Sequence, residues 1–176
     1  MLENGKYFRR NFILGVVTGA LINVGMAFLD PVTVLPVFVS RLGGSAAVIG
    51  FVSALHGVGW FLPQIFASRL AETRSRLINL YRTVTLIRVL AFAAVVCTVF
   101  LLDTENASVM LPVFVLMLLV AHLAGGFSAI PFLEITSKTI PVTSRGRFFG
   151  TRRVIGGALG VVAGILVGLI LDSTDE

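Results

Sequence analysis

Residues 77–102 read LINLYRTVTLIRVLAFAAVVCTVFLL, and only two of them, Arg82 and Arg88, carry a charge. A helix needs about 20 mostly apolar residues to cross the hydrocarbon core of a bilayer. Because lipid offers no hydrogen bonds to the backbone, such a segment must satisfy its own peptide groups, as an α-helix does. The stretch therefore predicts a transmembrane helix.

Four further stretches of similar character flank this one. They cover approximately residues 12–39, 46–71, 109–137 and 154–171. The whole chain agrees, because 56% of its 176 residues are hydrophobic and 13% are charged, against about 25% charged residues in soluble domains. We predict an all-α protein, a polytopic transmembrane bundle of five helices over residues 12–171, with short loops and antiparallel neighbours.

The distribution of Lys and Arg predicts the orientation of the bundle. Basic residues cluster before the first stretch and around the second and fourth connections between stretches: Lys6, Arg9, Arg10, Arg69, Arg74, Arg76, Arg82, Lys138, Arg145, Arg147, Arg152 and Arg153. The opposite loops hold one base, Arg41, and the tail at 172–176 is acidic. Cytoplasmic loops carry an excess of Lys and Arg. We therefore expect residues 1–11 in the cytoplasm and residues 172–176 outside a cell (inner) membrane, and no nucleic-acid partner.

Glycines recur on the fifth stretch at a spacing of four residues. They are Gly156, Gly160, Gly164 and Gly168. Glycines at this spacing form a ridge without side chains, which allows another helix backbone to approach closely. The ridge predicts a close-packed partner helix and requires no chemistry beyond packing.

Two basic connections carry the most specific motifs. The one between the second and third stretches, residues 68–76, reads SRLAETRSR and contains Glu72, Arg74 and Arg76. The one between the fourth and fifth, residues 141–153, reads PVTSRGRFFGTRR and contains Arg145-Gly146-Arg147. An acid beside a helix N-terminus is stabilised by the helix dipole, and a neighbouring Arg can pair with it. From charge alone, each connection also fits an ordinary cytoplasmic anchor.

Taken together, the two connections resemble the N-terminal half of a major facilitator superfamily transporter. In that family the loop after the second helix follows Gly-x-x-x-Asp-Arg-x-Gly-Arg-Arg. Glu72 stands for the acid and Arg76 for a later base, whereas Ser68, Thr73 and Ser75 depart from the pattern. The run RGRFFG at 145–150 before a glycine-rich helix is also similar. The resemblance covers all five stretches and implies that Glu72, Arg74 and Arg76 form a conformational gate.

The first apolar stretch contains polar side chains on one face. Gly19, Asn23, Met26 and Asp30 are spaced by four, three and four residues, and Pro31 follows Asp30. These spacings place the four residues on one side of a helix, and the proline predicts a kink. Asn23 and Asp30 are candidates for a cavity that binds a substrate or a proton. The alternative is that Asp30 lies at the outer interface, solvated or paired with Arg41.

Three ionisable side chains lie deep within other stretches. His56 and His122 are candidates for substrate or proton binding; the alternative is a neutral histidine bonded to a neighbouring helix. Arg88 lies too deep to reach the interface easily and requires a partner or a wet cavity. Because the family places its third helix toward the periphery, the resemblance favours a structural partner for Arg88.

These features indicate the general class of function. The sequence shows no catalytic constellation, metal-ligand cluster or cofactor motif, so an enzyme is not expected. We predict the N-terminal part of a secondary active transporter of a small solute, whose partners are the lipid bilayer and a missing C-terminal half or partner helices. The alternative is a small membrane-embedded subunit or scaffold that acts through helix packing.

Overall fold

The structure is a computed structural model that describes the backbone of residues 4–73, 76–101 and 107–174. Six helices occupy these ranges, namely α1 (Asn4–Ala27), α2 (Val34–Arg41), α3 (Ala46–Glu72), α4 (Ile78–Leu101), α5 (Ala107–Thr139) and α6 (Val142–Thr174). No strand occurs in the described ranges. The prediction of an all-α fold is therefore confirmed.

Five of the helices, all except α2, are long and apolar enough to cross a membrane by length and composition. The candidate spans are Tyr7–Ala27, Ala46–Glu72, Ile78–Leu101, Ala107–Thr139 and Val142–Ile170. Large apolar side chains such as Phe61, Leu90 and Phe100 are exposed on their surfaces. Apolar surface of this extent is unsuited to water and fits contact with lipid.

The first apolar stretch, predicted as one span, forms two helices. Helix α1 ends at Ala27 and α2 begins at Val34. Between them the amide of Leu29 donates to the carbonyl of Met26 at 3.2 Å, which closes a turn. The break surrounds Pro31, which has no N–H to donate and disfavours helical backbone at the preceding residue. The predicted kink is thus a break between two helices.

Helix α6 begins twelve residues earlier than the predicted span, at Val142 rather than 154. The basic run predicted as a loop is therefore helical. Pro141 precedes the first residue of the helix, and its carbonyl accepts from the amide of Ser144 at 2.9 Å. A proline at the start of a helix loses no hydrogen bond, because the first amides of a helix have no partner within it.

The chain forms two compact units. The first unit is residues 1–30 and 136–176, and it contains α1, α6 and the end of α5. The second unit is residues 31–135, and it contains α2, α3, α4 and most of α5. The core of the second unit is formed by small and branched side chains, among them Val52, Leu55, Ala91, Val95, Leu118 and Ala121. Each unit contains a group of candidate functional residues.

Candidate functional site

In the first unit, α1 and α6 run parallel in close contact. Three glycines mark the line of contact: Gly15 faces Phe148, Gly19 faces Arg152, and Gly156 faces Asn23. The residue numbers in each pair differ by 133, so the contacts advance along both helices in the same direction. A methyl group at Gly15 would lie 2.6 Å from Cε2 of Phe148. The two helices approach this closely because glycine leaves room for the larger neighbour.

The glycine ridge of α6 is used only in part within this unit. Gly156 contacts Asn23, whereas a methyl group at Gly160, Gly164 or Gly168 would meet no atom of the described chain within 4 Å. Further along α6, the buried residues are Ala163 and Val167. Beyond Gly156, the buried residues of α6 are therefore not the ridge glycines. Three of the four ridge glycines stay open, and their packing role remains a prediction.

Asn23 and Asp30, the cavity candidates of α1, lie in different environments. The side-chain amide of Asn23 donates to the carbonyl of Gly19 at 2.9 Å, one turn earlier on the same helix. Asn23 is exposed as a residue, while its Nδ2 lies against Gly156. Asp30 is partly buried and lies three residues beyond the end of α1.

Arg145 joins the end of α5 to the start of α6. Its Nε donates to the carbonyl of Ile140 at 3.1 Å, and its Nη2 donates to the carbonyl of Ser137 at 2.6 Å. The last carbonyls of a helix lack partners within it and carry partial negative charge, so a guanidinium there satisfies both needs. Arg145 therefore has a structural role.

The other two residues of the predicted cytoplasmic motif lie in the first turns of α6. The guanidinium of Arg147 lies 5.8 Å from the centre of the Phe12 ring, and that ring packs edge-on against Phe148 at 5.5 Å. Gly146 is exposed and has nothing within 4 Å of a methyl group placed on it. Arg147 thus connects α6 to α1 through an aromatic contact.

A pocket of about 390 Å³ opens beside this motif. Its lining residues are Tyr7, Phe8, Asn11, Ser137, Lys138, Thr139, Ile140, Pro141, Val142 and Arg145. Arg145 lines the pocket while its guanidinium is engaged with α5. The pocket lies at the helix ends that the sequence predicts on the cytoplasmic side.

The predicted gate loop is only partly described. Arg74 lies outside the described residues, and Glu72 and Arg76 are both exposed. Glu72 is the last residue of α3 and precedes the start of α4 by six residues. It therefore stands at a helix C-terminus, so the expected stabilisation by a helix N-terminus does not apply.

In the second unit, His56 of α3 and His122 of α5 lie in contact. Their rings pack edge to face with centroids 5.5 Å apart. Gly59 makes this crossing of α3 and α5 possible, because a methyl group there would lie 2.6 Å from Cβ of His122. The structure thus brings together two candidates that the sequence predicts separately. Spacing along the chain did not indicate the contact, although Gly59 and Gly126, which lie at this crossing, are visible in the sequence as small residues in apolar stretches.

His122 is buried, and its two ring nitrogens differ. Nδ1 lies 2.9 Å from the carbonyl of Leu118. A carbonyl oxygen only accepts, so Nδ1 carries the hydrogen of this bond. Nε2 is buried and has no hydrogen-bond partner within the described part of the chain. The ring is therefore held in one orientation with its second nitrogen directed away from the bond.

Arg88 of α4 belongs to the same group of side chains. Its guanidinium lies 5.5 Å from the centre of the Phe92 ring, and that ring lies 6.4 Å from the ring of His122. Gly125 of α5 leaves space for the guanidinium, since a methyl group there would lie 3.4 Å from Cζ. Nε of Arg88 is buried and has no partner among the described residues. The structural partner that the resemblance favours is not found for this nitrogen in the described ranges.

The sequence model of the Major Facilitator Superfamily matches residues 2–165. The chain belongs to the major facilitator superfamily. It is therefore an integral membrane protein and corresponds to part of a membrane transporter of that superfamily, as the two basic connections predicted. Comparison with curated proteins and with solved structures gives no match. The members of the superfamily are transporters rather than enzymes.

Proposed function

We propose that the chain is the N-terminal half of a secondary active transporter that moves a small solute across the cell membrane. Membership of the superfamily supports transport. The observation that carries the proposal is the group His56, Arg88 and His122, which lies near the middle of α3, α4 and α5. Ionisable side chains within the membrane are costly, and they mark substrate or ion pathways.

A second half completes the proposed transporter. Superfamily transporters consist of two six-helix halves that rock about a site near the bilayer midplane. The chain contributes five candidate spans, so its expected partner is a C-terminal half or equivalent helices. In this proposal Asn23 and Asp30 border the solute cavity, while Glu72, Arg74 and Arg76 stabilise one of the two conformations.

The parallel packing of α1 and α6 supports a cytoplasmic N-terminus. Because the two helices run in one direction, their first residues lie at the same end of the first unit. Arg9 and Arg10 lie near the start of α1, and Arg145 and Arg147 lie near the start of α6. Bases gathered at one end of two parallel spans are what the positive-inside rule expects of the cytoplasmic side.

A reporter enzyme that is active only in the periplasm tests this orientation. Fused after Glu176 it should be active, and inserted at Ser75 it should be inactive. The reverse pattern would contradict the orientation.

A scaffold function has one observation in its favour, namely the three open glycines of α6. A ridge of this kind fits a docking helix from another protein as well as a helix of a transporter's second half. The group His56, Arg88 and His122 in the second unit distinguishes a transporter from a scaffold, because a scaffold has no need of ionisable side chains at mid-helix depth. We therefore place transport first.

Uptake by the full-length protein in liposomes tests the proposal. A panel of labelled neutral, anionic and cationic solutes is offered with and without an imposed proton or sodium gradient. The proposal predicts that at least one solute accumulates only while a gradient is present. Uptake that merely equilibrates under every gradient would contradict the secondary active mode, and no uptake of any solute would contradict transport.

A further inference from the structure

We infer that Arg88 and His122 form a binding site for the negatively charged group of a solute, a carboxylate or a phosphate, at mid-membrane depth. The inference rests on the proposed transport function and adds to it the chemical class of the solute. Arg88 is the eleventh of the 24 residues of α4, and His122 is the sixteenth of the 33 residues of α5. Both side chains therefore lie near the middle of candidate spans.

The two side chains share one location. The ring of Phe92 is close to both, 5.5 Å from the guanidinium of Arg88 and 6.4 Å from the imidazole of His122. The guanidinium rests against Gly125, which follows His122 by three residues and so lies on the same face of α5. Their buried nitrogens, Nε of Arg88 and Nε2 of His122, are the two buried side-chain polar atoms without a partner in the described chain.

An arginine cannot reduce the cost of burial by losing its proton, because its pKa lies above any physiological pH. Its charge within a membrane is stabilised by an anion or by water. The described parts of α3, α4 and α5 contain no acid at this depth of the spans. Helix α4 contains no acid, the acid of α3 is Glu72 at its last residue, and the acid of α5 is Glu134. Glu134 lies nine residues after Gly125, which is about 14 Å along a helix.

His122 completes the chemistry of such a site. Since Nδ1 donates to Leu118, Nε2 of the neutral ring has a lone pair and accepts from a hydroxyl or takes up a proton. A hydrogenphosphate offers acceptor oxygens to Nε–H of Arg88 and a hydroxyl to Nε2 of His122, whereas a carboxylate offers only acceptor oxygens and binds through Nε–H of Arg88. Guanidinium groups are well matched to carboxylate and phosphate oxygens. His56 packs against the other ring and is the further titratable group of α3 at this place.

The site also has a built-in reporter. Trp60, the single tryptophan of the chain, follows His56 by one turn of α3. Its backbone carbonyl lies 2.7 Å from the position that a methyl group on Gly126 would take. The backbone of Trp60 therefore lies at the crossing of α3 and α5, while its side chain is exposed, and its fluorescence is followed as a local signal.

The test measures binding by the purified full-length protein. Fluorescence and thermal unfolding are followed as sodium acetate, sodium succinate, sodium phosphate or glucose is added, each against sodium chloride at equal ionic strength. We expect at least one of the three anions to raise the unfolding temperature beyond chloride, because a ligand stabilises the state that it binds. Glucose should have no effect. If none of the anions acts beyond chloride, the inference is overturned.

Single substitutions test whether the anions bind at Arg88 and His122. Arg88→Gln and His122→Gln should each weaken anion binding at least ten-fold, and Arg88→Lys, which keeps the charge, should weaken it less. Arg82→Gln is the matched control, since Arg82 lies on the same helix and is exposed. If Arg88→Gln does not fold, His122→Gln and Arg88→Lys decide. Unchanged affinity in both of these would overturn the inference, as would unchanged affinity in Arg88→Gln.

Two outcomes separate this inference from the proposed function. Gradient-driven uptake of a neutral solute, unaffected by Arg88→Gln, would leave transport intact and overturn the anion site. Anion binding that depends on Arg88, without uptake of any solute, would support the site and contradict transport. A fall in the unfolding temperature of Arg88→Gln, without any anion effect on the unaltered protein, would show that Arg88 has a structural role and would overturn the solute site.

Discussion

Gly19 of α1 and Arg152 of α6 lie in direct contact, with the arginine side chain crossing α1 where the glycine has no side chain of its own. The guanidinium then reaches back along α1, and its Nη1 donates to the carbonyl of Gly15 at 3.3 Å. The contact fixes the register of the two parallel helices. It also places the positively charged guanidinium of Arg152 against the surface of α1 near Gly15.

Gly19→Leu should separate α1 from α6. The leucine would occupy the place of the Arg152 side chain, and overpacking of this kind costs about 1–3 kcal/mol. We expect a lower unfolding temperature and lower yield in the membrane. The control is Gly25→Leu on the same helix, where nothing lies within 4 Å of an added methyl group. Equal stability of the two variants would show that α1 and α6 do not pack in this register.

Arg145→Gln should destabilise the junction of α5 and α6. The variant loses two charge-assisted hydrogen bonds to the carbonyls of Ser137 and Ile140. Because the site is partly exposed, we expect a loss of about 1 kcal/mol in the free energy of unfolding, near the lower end for such bonds. Thermal unfolding in detergent measures it. Gly146→Ala, at an open position, should have little effect, and a loss as large as that of Arg145→Gln would argue against the cap.

Gly160→Leu tests whether a helix outside the described chain packs on the open ridge. A methyl group at this position would have nothing within 4 Å in the described chain, so we expect a leucine there to disturb an additional helix more than this chain. In the full-length protein we expect reduced stability and expression. Ala158→Leu, at an exposed position of the same helix, is the comparison. If Gly160→Leu behaves like Ala158→Leu, no helix uses this part of the ridge.

Glu72→Gln and Arg76→Ala test the proposed gate. Both residues are exposed at the end of α3 and just after it, so their replacement should leave the fold intact. We expect a changed ratio of inward-open to outward-open protein and a changed transport rate. The unfolding temperature should stay within the range of the unaltered protein. Unchanged transport rates in both variants would contradict the proposed gate.

The sequence predicted most of the fold because apolar length and charge placement directly determine membrane helices. The break near Pro31 was also visible, since proline has a local effect on the backbone. The early start of α6 at Val142 was not, because a run with Arg145, Arg147 and Arg152 reads as a loop. Contacts to other helices explain it: Arg145 bonds to α5, and Arg152 bonds to α1.

The sequence predicted the residues of the candidate site one by one, but not their contacts. His56 and His122 were found by the cost of polar groups in a membrane, whereas their contact depends on the crossing of α3 and α5 at Gly59. Arg88 was expected to have a structural partner from the position of its helix in the family. In the structure its guanidinium lies beside Phe92 of its own helix and Gly125 of α5. A contact between residues of two helices cannot be predicted from either stretch of sequence alone.

Access of water to Asn23 tests the central claim of transport most directly. Asn23 is exposed on α1, although one side of its amide rests on Gly156. A single cysteine is placed at position 23 in the full-length protein after Cys97→Ser removes the exposed native thiol. A membrane-impermeant thiol reagent is then applied from each side, with and without the transported solute. We expect labelling from the aqueous phase, at a rate that changes when the solute is present. Complete protection from both sides in both conditions would contradict a solute cavity and favour the scaffold.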